Sequence, residues 1–435
     1  MIAIALVLAA VLRLAEIGSN LRISTDEYGY IGDANQLAHL RGYQSFHWAP
    51  GTPALFALAA RLTGHSAISA VTHSHGIAQY VQWVVEMATL VALGVLAWQI
   101  AGVWAALVAV VAMGTYGPLV EVTRTYLSEP LGGLMLVAMV GAAAWARTRG
   151  WRSLAVAGVI GGLACLARED FVPGVAVIAA ALALERRGGA RRAAVGRGAL
   201  YLIAAVLTLA PWIGYASHTE RTLVLVTTGG NDTLFIGTYL PGDGGQFQTV
   251  DHYRKAVCQR YPNECHSPPG DAAPMFQLIT AEHPGDSRNA AIDAAVLSNL
   301  RKYALGRPFA FAGLLVRKLW GMWSVPWDGA NGRAGVPDGL STAIDLIYVA
   351  LGWLGLVLGA WLYRRRWAVI VPTLTFVVVI AVNDWFGPEP RDTLRLSPLL
   401  FALGAAGLVA GAKAIRLQLG VRRLDGAQAA NATSR

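Results

Sequence analysis

Residues 1–35, MIAIALVLAAVLRLAEIGSNLRISTDEYGYIGDAN, decide how the rest of the chain is read. An apolar run from Ile2 to Gly18 gives way at once to a polar stretch carrying two adjacent carboxylates, Asp26 and Glu27. The run approaches the roughly 20 residues that a helix needs to cross hydrocarbon. A cleaved signal peptide is the alternative reading, but its basic leading segment is missing, so the run is taken as an uncleaved first span. The same grammar then repeats to the end of the chain. Of 435 residues, 55% are apolar and only 14% charged, where a soluble domain carries about a quarter charged. Ten spans are read, near 2–18, 76–98, 102–118, 127–146, 152–166, 172–185, 198–214, 340–362, 367–382 and 396–414. The expected class is an all-α polytopic membrane protein.

Loop charge orients it. Arg147, Arg149 and Arg152 form one basic cluster; Arg186, Arg187, Arg191, Arg192 and Arg197 form another. Arg364, Arg365 and Arg366, and then Lys413, Arg416, Arg422 and Arg423, complete a set that ten spans place on one face. By the positive-inside rule that face is cytoplasmic. The net charge of +9 is accounted for by these clusters and does not point to nucleic acid. The chain divides into a catalytic module at 1–214, a long outside segment at 215–339, and closing spans with a cytoplasmic tail at 340–435. The module's first outside loop covers 19–75. Residues 49–62 and 309–323 are apolar but would invert the topology, so both are read as interfacial helices, with Trp320 and Trp323 at headgroup depth. The location expected is the inner (plasma) membrane, with the active face outside. Cys258 and Cys265 share the second outside segment. In an oxidising compartment they are read as a disulfide, with two free thiols as the alternative.

The outside connections carry unexpected charge. Asp26 and Glu27 are either solvated loop charge or the acids of a site; Asp26 could also cap a helix whose partly apolar face, Tyr30, Ala34, Leu37 and Leu40, lies on the bilayer. Glu129, in TYLSEPL (125–131), stands where a loop enters the fourth span. An ionisable group there reads as functional or as a first-turn acid favoured by the helix dipole. Arg168, Glu169 and Asp170 break two apolar runs and read plainly as a charged hairpin tip. Arg391 and Arg395 lead into the last span, where they either anchor headgroups or hold phosphate. Their shared face suggests a cleft in the outer half of the bilayer.

In order along the chain, these segments resemble the GT-C glycosyltransferases related to protein O-mannosyltransferases and lipid A aminoarabinose transferases. Asp26-Glu27 with Tyr30 and Ala34 resembles that family's acidic motif. FHWAPGTPAL (46–55) is similar to the Pro-Pro-Leu-Tyr-type segment that follows it, and TYLSEPL resembles the acidic entry to the fourth span. Gly161-Gly162-Leu163-Ala164 with Arg168 is similar to the Gly-Leu-Ala…Arg hairpin. Ala210-Pro211-Trp212, Gly229-Gly230-Asn231 and Phe235-Ile236-Gly237 resemble the opening of the large outside loop. Arg391…Arg395-Leu396-Ser397-Pro398 resembles the Arg-Tyr…Pro motif. There are two departures: Trp48-Ala49-Pro50 stands where the aminoarabinose transferases have Glu-Lys-Pro, leaving His47 as the nearest polar replacement, and Asp392 stands in place of the Tyr.

The resemblance implies transfer of a sugar from a polyprenyl-phosphate donor to an acceptor outside the cytoplasm. It implies Asp26 as the catalytic carboxylate, Glu27 beside it and Glu129 lining the cleft. Tyr30, His47, Arg168, Arg391 and Arg395 become the substrate contacts. Sugar, acceptor and any divalent metal are left open. The chemistry needs a base for the acceptor hydroxyl and cations for the departing phosphate, and no redox cofactor. The competing readings are a secondary transporter, which calls for mid-span charges and an internal repeat, and a non-catalytic membrane scaffold.

Overall fold

Long apolar runs satisfy their backbone groups in hydrocarbon by forming helices, and the computed structural model is accordingly helical throughout. It describes residues 1–18, 25–43, 45–64, 76–185, 191–266, 271–327, 338–387 and 389–433, with no strand among them. The parts of the expected outside loops at 19–24, 65–75 and 328–337 lie outside the described residues.

The chain opens with α1 (Ile2–Glu16), then two short helices, α2 (Thr25–Ala38) and α3 (Gly51–Leu62). Next come α4 (Ile77–Ala101), α5 (Val103–Thr115), the single turn α6 (Gly117–Glu121), α7 (Glu129–Ala146), α8 (Trp151–Ala167), α9 (Val172–Leu184) and α10 (Arg191–Glu220). Five helices follow: α11 (Gly230–Thr238), α12 (Gln246–Arg260), α13 (Ala273–Ala281), α14 (Arg288–Asn299) and α15 (Pro308–Ser324). The bundle closes with α16 (Asp338–Leu362), α17 (Trp367–Trp385) and α18 (Thr393–Thr433). Each of the ten expected spans coincides with a helix. Among the described residues six helices are long and apolar enough to cross a bilayer by length and composition, or seven counting the bent pair of α5 with 117–124. The chain is a multi-pass membrane protein.

Helices in hydrocarbon associate by close packing rather than by expelling water, which favours small residues at contacts. The α16–α18 seam follows this rule: a Cβ added at Gly355 or Gly407 would run into the backbone of the other helix. Charge adds a second fastening. Arg13 of α1 is fully buried and donates to the carbonyls of Met113 (3.0 Å) and Gly114 (3.1 Å) at the end of α5. Its guanidinium also pairs with Glu86 of α4 at 3.5 Å.

A second apolar cluster, with Phe235, Met275, Phe276, Ile292 and Leu314, is enclosed by α11–α15. Cys258 and Cys265 are joined by a disulfide at its edge. Helix α15 ties this cluster to the bundle. Its Phe311 ring lies 5.2 Å from Trp385, whereas Trp323 packs 5.3 Å from Trp353 of α16 and also against Phe376 of α17. Trp323 is therefore a core residue rather than a headgroup anchor, while Trp320 is 74% exposed. Lys318, between them, bends back to donate to the Gly237 carbonyl at 3.0 Å.

Candidate active site

The site is built where α2, the loop before α7, the α8–α9 connection and the turn before α18 meet. Helix α2 carries Asp26 and Glu27 inside its first turn, where carboxylates complement the helix dipole. Its apolar face does not lie on lipid as the pattern suggested. Ile31 and Ala34 pack against Phe56 and Ala60 of α3 and against Tyr126. The two acids therefore diverge. Glu27 is buried, and its carboxylate accepts the backbone N–H of Tyr126 at 2.8 Å. Asp26 stays partly exposed.

The Tyr126 segment is held from the other side by α4. Gln79 donates to the Arg124 carbonyl (2.8 Å) and Gln82 to the Leu127 carbonyl (2.6 Å). Pinned at these points, the loop delivers Ser128 and Glu129 to the start of α7. Tyr30 donates to Ser128 Oγ at 2.9 Å, and burial raises its phenol pKa, keeping it a donor. Arg168 also donates to Ser128 Oγ, at 2.7 Å.

Two arginines form the floor. Arg168 lies 3.6 Å from Glu129, 3.7 Å from Asp170 and 3.7 Å from Asp392. Burial works against its charge, but Asp170 and Glu129 together outweigh that and raise its pKa. Arg395 is fully buried, its guanidinium shared among Asp170 (2.7 and 2.8 Å), Asn383 (2.7 Å) and Asp392. Gly132 makes room for both, since a Cβ there would lie 3.1 Å from Arg168 Cγ and 3.2 Å from Arg395 Cβ. Arg395 has no exposed surface and its donors are taken by protein oxygens, so it lies beneath the site rather than at its opening. Within the floor, Glu129 Oε2, Arg168 Nε and Asp170 Oδ1 are buried without a hydrogen-bond partner.

The upper layer is Arg391. It pairs with Asp26 through Nη2 and with Glu389 through Nε at 3.1 Å. The side chains of Arg391, Asp26 and Glu389 are 26%, 20% and 42% exposed. The half-open acid and half-open cation of this site therefore face each other above a more deeply set ionic floor. His47 stands apart from both layers, edge-on to Trp48 at 4.4 Å and against Gly229. Trp48 in turn lies against Tyr30, with ring centroids 5.3 Å apart.

Among the described residues no group of three or more His, Cys, Asp or Glu side chains converges as a cation site. Asp26, Glu129, Asp170 and Asp392 each face an arginine, so the arrangement does not fit a divalent ion, and no step is assigned to one. Sequence reasoning passed over Asp170 as a hairpin tip, Asp392 as a departure and Arg13–Glu86 altogether. For the last pair the signal was present, as ionisable side chains inside apolar runs.

No protein-family model and no curated protein matches the chain. Among solved structures it is similar to the archaeal oligosaccharyltransferase of Archaeoglobus fulgidus. The apo form gives a TM-score of 0.55 at 13% identity, over 98% of this chain and 52% of that one. The same enzyme, AglB, in complex with an inhibitory peptide and a dolichol-phosphate gives 0.52 at 13% identity, over 97% and 52%. ArnT from Cupriavidus metallidurans bound to undecaprenyl phosphate gives 0.41 at 13% identity, over 93% and 77%. The chain spans about half the length of the oligosaccharyltransferase structures. The likeness is one of fold, and the fold is of the GT-C type.

Proposed function

We propose that this chain is a membrane glycosyltransferase that moves a sugar from a polyprenyl-phosphate donor to a hydroxyl acceptor outside the cytoplasm. The observation that carries the reading is the half-open Asp26–Arg391 pair set on a buried ionic floor. Sugar transfer from a lipid phosphate needs one base and one anion holder, side by side and reachable from the bilayer. Asp26 takes the acceptor proton while Arg391 holds the donor phosphate. Glu27, Tyr30 and Ser128 fix the walls, and Arg168 with Arg395 fixes the floor. One displacement at the anomeric carbon inverts its configuration. The dolichol-phosphate in the similar AglB structure is a lipid phosphate of the class proposed. Glu129, with one oxygen unpartnered, lines the cleft beneath the reacting groups. His47, across Trp48, is assigned to the acceptor side.

The test uses the purified full-length protein with a polyprenyl-phosphate sugar and, separately, the matching nucleotide sugar. Transfer from the lipid-linked donor alone is expected. Asp26→Asn keeps size and hydrogen bonding but removes the base, so turnover should fall about 10²–10⁴-fold. Transfer from the nucleotide sugar, or full activity in Asp26→Asn, would overturn the assignment.

A further inference from the structure

Arg391 presents two edges, and they are held differently. Its Nε faces Glu389 of its own turn at 3.1 Å. Glu389 is itself fixed, because its backbone N–H donates to Asp392 Oδ2 at 2.8 Å. The Nη2 edge is taken by Asp26, which reaches it from α2. So Arg391 is tethered along one edge, and among the described residues only Asp26 covers the other.

We infer that Asp26 and the donor's phosphate compete for the Nη edge of Arg391, so that arrival of a lipid phosphate frees Asp26 to act as base. The inference rests on the donor assigned above. A carboxylate engaged in a charge-assisted pair has its acceptor lone pairs occupied and receives a proton poorly. A phosphate suits the planar guanidinium fork equally well and brings more oxygens to it. Exposure marks which pair opens. Breaking a more deeply set pair such as Arg395–Asp170, whose side chains are 0% and 12% exposed, leaves a charge with less water to cover it. Asp26 and Arg391 are 20% and 26% exposed, and water can cover either as the other is released.

The sequence of events follows. Donor phosphate takes the Nη edge, and Asp26 turns to the acceptor hydroxyl. The acceptor oxygen forms its bond to the anomeric carbon, and its proton passes to Asp26. The bond from anomeric carbon to phosphate oxygen breaks, and the lipid phosphate keeps the electron pair and stays on Arg391. Protonated Asp26 is neutral and cannot recapture Arg391 until it passes its proton to water. It then displaces the lipid phosphate. Donor binding therefore precedes acceptor activation, and the same carboxylate that acts as base also ejects the product.

The experiment measures binding of undecaprenyl phosphate to the full-length protein in nanodiscs, with undecaprenol as the control lacking phosphate. Asp26→Asn, and Asp26→Ala as a second variant, should bind the phosphate about tenfold more tightly than wild type, the size of one uncontested charge-assisted contact. Arg391→Gln should bind it more weakly, and adding Asp26→Asn to that variant should give no tightening. Unchanged affinity in both Asp26 variants, with Arg391→Gln still weakened, overturns the competition and leaves the donor assignment standing. Tightening that persists in the double variant also overturns it. No saturable binding by wild type or any variant removes both.

Discussion

Arg391 and Arg395 stand one helical turn apart and do opposite work. The second is spent inside the protein on Asp170, Asp392 and Asn383, while the first keeps an edge at the cleft. Arg395→Met should leave Asp170 and Asp392 with only the more distant Arg168. Breaking a buried pair in this way costs about 3–5 kcal/mol, read as a large fall in thermal midpoint in detergent. Lysine should not restore it, because a point charge cannot replace a three-way fork. Arg391→Gln should move the midpoint by no more than about 1 kcal/mol, as expected for a partly exposed pair, while abolishing transfer. Equal destabilisation by the two changes would contradict the division into strut and contact. Sequence reading found both arginines but not this division. Which one is buried depends on Asp170 reaching across from the α8–α9 connection, and no local pattern around residue 395 encodes that reach. Asp26 and Glu27 repeat the lesson. They are neighbours in sequence, yet a helix turns them about 100° apart, and only Asp26 faces Arg391.

At the scale of elements, helices were far easier to read than their neighbours. All ten expected spans fell on helices, because unbroken apolar runs between charged clusters admit little else in a bilayer. Amphipathic pattern was less informative: it announced that α2 and α15 each bury a face, and laid that face on the membrane surface. For α2 the cover is α3 and Tyr126, and for the end of α15 it is Trp353 and Phe376. The α16–α18 seam offers a direct check. Gly407→Val should push the helices apart at a point where backbone touches backbone. The expected cost is about 1–3 kcal/mol of overpacking, seen in thermal or SDS unfolding. Because α18 also carries Arg395, transfer should fall with it. A seam that accepts valine without loss would show that these helices pack more loosely than described.

For the whole molecule the decisive quantity is sidedness. The basic clusters predict that the mouth of the site opens away from the cytoplasm, and the proposed donor chemistry requires that too. Single cysteines at exposed positions test it in intact cells with an impermeant thiol reagent. Arg41→Cys and Gln248→Cys should label, and Arg365→Cys should label only after lysis. The native cysteines interfere little, since Cys165 is buried and the other two are bonded to each other. The reverse pattern would invert the protein and end the proposed mechanism.

The Arg13 anchorage also bears on how the protein is made. This cation leaves the ribosome long before most of its partners: Glu86 follows 73 residues later and Met113, whose carbonyl it uses, 100 residues later. At the usual 5–20 residues per second, that is a wait of about 5–20 s. An unpaired arginine within an apolar helix is costly in hydrocarbon, so α1 has reason to linger at the insertion machinery until α4 and α5 arrive. Helix α1 would then seat only after helices synthesised later than it. A Glu86→Leu chain would be expected to lose its leading helix to quality-control proteolysis before the catalytic cleft ever forms.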